Sequence, residues 1–87
     1  MSRQAGKEAL LALRPQLNEL KSHELIEVDF EGVTTFSPSW GDEFLTPLLE
    51  EYADRLILHP TDNLSVQETL ALLEGMHGYT FKTRPII

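Results

Sequence analysis

Two short apolar runs, "LIEVDF" at residues 25–30 and "RLILH" at residues 55–59, flank a stretch whose apolar residues recur with a different period. In the first, Ile26, Val28 and Phe30 alternate with Glu27 and Asp29, the period of two that turns one face of a strand toward a core. The second is too short before Pro60 to be a helix and reads as a buried strand. Between them Trp40, Phe44, Leu45, Leu48, Leu49 and Tyr52 form a helical stripe broad enough to cover one face of a sheet. A strand, a helix and a second strand at this spacing make a right-handed crossover, and crossovers join parallel strands.

The flanking segments extend the pattern. Leu10, Leu13, Leu17 and Leu20 lie on one face of a first helix, in which Pro15 is expected to produce a kink or a split. Pro47 is expected to kink the second helix, with Thr46 free to cap its second half. In "SVQETLALLEGMHG", Ser65 and Glu68 have capping-box spacing, Val66, Leu70, Leu73 and Met76 form the apolar face, and Gly75 or Gly78 ends the helix. The ending "YTFKTRPII", residues 79–87, is an edge strand or a loose tail. The expected fold is α/β, a small domain with a short, mainly parallel sheet and helices packed against it. The 87 residues make one domain. A sheet this narrow would gain from self-association or an extra strand, so a monomer or weak homodimer is expected.

Composition then limits the functions open to such a domain. No cysteine is present, which removes disulfides, thiolate chemistry and Cys-based zinc sites. Fourteen acids against seven Lys plus Arg give a formal charge of −7, and the basic residues are scattered. Nucleic acid and anionic membrane are therefore poor partners, and a protein partner is expected. No apolar run reaches membrane-spanning length and no secretory pattern opens the chain, so the expected location is cytoplasmic.

Candidate chemistry is sparse. His23, His59 and His77 lack the spacing that would place two imidazoles on one metal. No nucleophile elbow, P-loop or dinucleotide fingerprint is present, so no catalytic residue, metal ligand or cofactor is assigned. Asp29, Glu31, Asp42 and Glu43 could converge beyond the first strand, which leaves one alternative open: a small ligand- or metal-binding domain using Asp29, Glu31, Asp42 and His59. The stretch "FSPSWGDEF" offers two caps, Ser37 ahead of Pro38 or Ser39 with Asp42 three residues on. A helix start of this kind also tolerates a phosphoserine, and Asp42 and Glu43 would repel it and so give it a readout. Trp40 either closes the core or anchors a partner.

The run "IEVDFEGVTTFSPSWGDEF", followed by "LTPLLEEY" and "LILHPTDNLSVQETL", resembles the STAS-like domain family, whose function is largely unassigned. The resemblance covers about residues 2–75. That family is similar in turn to the STAS domains of anti-sigma-factor antagonists, which bind a kinase-type anti-sigma factor and are switched off by phosphorylation of a serine at a helix start. On that pattern Ser39 takes the place of the phosphorylated serine, Ser37 that of the Asp preceding the serine pair, and Glu31 to Val33 the approach loop. Pro38 and Trp40 replace the flanking serine and glycine. The resemblance implies a non-catalytic regulatory module. Its partner would be a histidine-kinase-like ATPase or a regulator of one, met through Ser37, Pro38, Ser39, Trp40, Asp42 and Glu43.

Overall fold

The parallel crossover inferred from the two apolar runs is present, and a second one follows it. The computed structural model describes residues 2–85 in the order α1 (Arg3–Leu17), β1 (Ile26–Val28), α2 (Pro38–Tyr52), a 3-10 turn (Ala53–Arg55), β2 (Leu56–Leu58), α3 (Leu64–His77) and β3 (Lys82–Thr83). The sheet runs β1-β2-β3, with both pairs parallel. Ile26, Glu27 and Val28 stand opposite Leu56, Ile57 and Leu58, and Ile57 and Leu58 stand opposite Lys82 and Thr83. The fold is thus a small α/β fold, as expected. The segment at 79–87 contributes an edge strand at Lys82–Thr83, while Ile86 and Ile87 lie outside the described residues.

Crossovers that step in one direction and take the usual right hand put both helices on one face of the sheet, and residues of α2 and α3 do enter one core. Burial on the middle strand agrees. Leu56 and Leu58 are fully buried and join one contiguous core with Leu45 and Leu48 of α2, Val66 and Leu73 of α3, Leu10 and Leu17 of α1, and Phe30, Phe36 and Phe81. Ile57 points the other way and lies outside that cluster although it is only 8% exposed. It is shielded by its neighbours: Arg84, just past β3, reaches across to the Glu27 carboxylate on β1, and His59 Nε2 meets the same oxygen at 2.9 Å.

Neither internal proline divides its helix. Pro15 lies in the last turn of α1, where the carbonyl it would have served belongs to Leu11, an exposed residue. Pro47 lies between Leu45 and Leu48, whose burial on both sides holds α2 in register. Its lost hydrogen bond costs about 3 kcal/mol, roughly what one or two buried leucines contribute. Thr46 caps nothing. Its hydroxyl donates to Asp42 at 2.9 Å instead. The capping box expected at Ser65 is also displaced: Asn63 caps α3, accepting from the Val66 amide at 3.2 Å, and Gly78 ends the helix at φ 73°. Met76, expected on the apolar face, is 58% exposed, and Thr69 occupies a buried position of α3.

α1 lies directly against the first turns of α2. A Cβ at Gly6 would stand 2.5 Å from the Trp40 carbonyl oxygen, closer than atoms can approach. Gly6→Ala is therefore expected to destabilise the protein by about 1–3 kcal/mol, in spite of alanine's better helix propensity. Gly75, in α3 with open space around it, gives the opposite outcome: Gly75→Ala should stabilise by about 0.5–1 kcal/mol. Urea midpoints of the two variants should move in opposite directions.

Candidate functional site

Of the two possible caps at the strand-to-helix junction, the structure uses Ser37. Its Oγ accepts from the Trp40 amide at 3.3 Å, and Pro38 takes the first helical position, where its missing N–H costs nothing. Ser39 is not the cap. It stands half-buried in the first turn of α2, three and four residues before Asp42 and Glu43, and so shares their helix face. Trp40 is half-buried and belongs to a run of rings, edge-on to Phe36 at 5.5 Å and stacked on Phe44 at 4.8 Å. Phe36 is edge-on to Phe30 at 5.5 Å in turn. The aromatic run ties the end of β1 to the start of α2.

The loop that delivers the junction is held from α3. Asn63 Nδ2 donates to the Val33 carbonyl at 2.6 Å. The Phe36 amide donates to Ser65 Oγ at 2.8 Å, and the Phe36 carbonyl accepts from Thr69 Oγ1 at 2.6 Å and Ser65 Oγ at 3.3 Å. These three side chains were not legible as site residues. In the sequence Ser65 reads as a helix cap and nothing local singles out Asn63 or Thr69, because their partners lie about thirty residues away along the chain.

Asp42 is the electrostatic hub of the site. Its side chain is 16% exposed; Oδ2 accepts from Arg3 of α1 at 3.0 Å, while Oδ1 meets Thr46 Oγ1 at 2.9 Å and His77 Nε2 of α3 at 2.8 Å. Arg3 also reaches Glu43 at 3.0 Å. Because Thr46 gives its proton to Asp42, its oxygen is left to accept from the Tyr79 hydroxyl at 2.6 Å, and Tyr79 stacks on the His77 ring at 5.1 Å. Burial alone would raise the Asp42 pKa; hydrogen bonds from Arg3, Thr46 and His77 outweigh it and hold the carboxyl below its ordinary value. Burial pushes the Tyr79 phenol up, so it stays a donor.

The acids beyond β1 do not form the cluster that the sequence allowed. Asp42 is engaged by Arg3 and His77, and His59 by Glu27, whereas Asp29 and Glu31 line an open hollow of about 610 Å3 with Asp62, Thr61 and Gln67. Among the described residues no group of three or more His, Cys, Asp or Glu side chains is placed to hold a metal ion. Among the described residues no helix is long and apolar enough to cross a membrane.

Two outcomes follow from this geometry. Thr69→Val leaves the Phe36 carbonyl with a single long side-chain partner and should cost about 0.5–1.5 kcal/mol, with faster amide exchange confined to residues 33–37. For Asp42 the folded pKa lies below the unfolded value, so as the pH falls the unfolded chain takes up a proton first. The stability it contributes is complete above about pH 5, begins to fall as the pH approaches the unfolded value, and disappears as the pH drops through the folded value. Urea unfolding of Asp42→Asn should start from lower stability at neutral pH and show a shallower acid loss than wild type. Comparison of the chain with family models, with curated proteins and with solved structures gives no match.

Proposed function

We propose that this chain is a non-catalytic regulatory module that binds a protein partner through the surface from Ser37 to Glu43, with Ser39 as its switch. The observation that carries this reading is the position of Ser39, in the first turn of α2 and on the same helix face as Asp42 and Glu43, the two acids through which Arg3 holds α1. A phosphoryl group there would add a charge of about −1.5 to −2. It would repel both carboxylates and compete with them for Arg3. Modification would thus loosen α1 from α2 and alter the surface around Trp40 and Pro38, which translates one covalent event into a changed binding face.

The resemblance to STAS-like domains supports the same reading and suggests a kinase-type ATPase, or a regulator of one, as the partner. The net charge of −7 favours a partner with a basic face. A cytoplasmic setting would suit such a partnership.

Ser39→Ala and Ser39→Asp test the proposal together. Wild type and Ser39→Ala, immobilised and exposed to extract from the source cells, should retain the same ATPase-type partner, while Ser39→Asp should lose it by roughly tenfold or more, with the fold confirmed by circular dichroism. A partner set that is identical for all three proteins removes the switch.

A further inference from the structure

β1 is an edge strand, and among the described residues no strand pairs with its outer side. Among the described residues it pairs with β2 alone, where its register runs from Ile26 to Val28. The Val28 carbonyl accepts from the His59 amide at 2.8 Å, so Val28 and Ile26 turn their main chain toward β2. By the alternation of a parallel ladder, the amide and carbonyl of Glu27 face outward, flanked by those of Leu25 and Asp29. Such groups are a template for another strand.

Alongside this edge runs an apolar groove of about 410 Å3, walled by residues 25–29 on one side and by Leu13, Leu17 and Leu20 on the other, with Phe44 and Leu48 at its base. At the upper end of β1, a second hollow of about 230 Å3 shares Val28, Asp29 and Phe44 with it and reaches Trp40. Ile26 and Val28 point into the helix side of the sheet, while Leu25, Glu27 and Asp29 point to the open face. An added strand would therefore bury alternate side chains in the groove and set the others beside Glu27 and Asp29.

Charge decides between occupants. Glu27 already meets Arg84 and His59, but among the described residues Asp29 and Glu31 meet no cation, and the chain carries −7. A second copy paired two-fold about Glu27 would set Glu27 against its own equivalent between two acidic chains. A strand with basic residues on its outer face has no such conflict. From this we infer that the edge of β1 takes up an extended segment of a partner protein, apolar and basic at alternate positions, as a fourth strand of the sheet. The inference rests on the reading of the chain as an interaction module and names the form in which its partner is held.

The probe is a short synthetic peptide alternating valine and lysine, titrated into the full chain while amide NMR spectra are recorded. The expected result is a set of shifts centred on Leu25, Glu27 and Asp29, with slower hydrogen exchange at the Glu27 amide. A valine–glutamate peptide should bind roughly tenfold more weakly, because its acids would face Asp29 and Glu27. N-methylation of the peptide amides on one edge should abolish binding, and methylation of the other edge should spare it. Because those probes leave the protein unaltered, no variant has to fold for the test to work. Absence of shifts at residues 25–29 with the lysine peptide overturns strand addition, as does equal binding of both methylated peptides. Protection of the Glu27 amide that rises with protein concentration alone makes a second copy the occupant and also overturns it. The same titration on Ser39→Asp separates the two readings: an unchanged response at Leu25–Asp29 upholds strand addition even if the Ser39 switch fails.

Discussion

Leu56 and Leu58 on the middle strand are the contact that everything else is arranged around. A strand of three residues supplies little hydrogen-bonded ladder, so its place depends on side chains, and these two enter a core formed by Leu45, Leu48, Val66 and Leu73. The helices reach only one face of the sheet. The other is covered thinly, by the Glu27, His59 and Arg84 group that screens Ile57. A two-layer domain with one helical layer is therefore stabilised mostly on one side, and its second side and its edge are where additional contacts can form.

The same asymmetry explains why polar links are so prominent near the junction. α1 precedes β1 and does not take part in a crossover, so nothing in the sheet topology holds it. What fixes it is the burial of Leu10 and Leu17 in the shared core, together with the close approach of Gly6 to the Trp40 carbonyl, the Arg3 pairs with Asp42 and Glu43, and the Arg14 pair with Glu51 at 2.6 Å. The Arg14 pair is largely exposed and adds little by itself. The Arg3 pair is different in kind, because Asp42 is mostly screened from water and is shared with α3 through His77. One carboxylate thus connects three helices.

This arrangement places the candidate switch and the candidate docking edge in one continuous region. The groove beside β1 adjoins the hollow that reaches Trp40, one residue from Ser39, and one of its walls is α1. Any event that moves α1 relative to α2 would change the width of the groove. Recognition at the edge and modification at the junction would then be coupled through a single helix, with no need for a separate transmitting element.

Periodicity made a large part of the fold legible. The alternation in "LIEVDF", the stripe from Trp40 to Tyr52 and the spacing between the two apolar runs identified the strands, the crossover and the parallel sheet, because helix and strand periods follow from local backbone geometry. Ser37 as a cap was legible for the same reason, although Ser39 competed with it on equal local terms. The roles of Ser65 and Thr69 were not, and neither was the fate of Pro47. A hydroxyl reads as a cap until a carbonyl from a distant loop is brought to it, and a proline reads as a break until leucines on either side are buried. The sequence by itself determined the three helices and the first two strands, and left residues 79–87 open between an edge strand and a tail. Only the tertiary structure decided that Asp42 joins three helices rather than an acidic cluster with Asp29, and that β1 keeps an open edge, since both depend on which distant residues packing brings together.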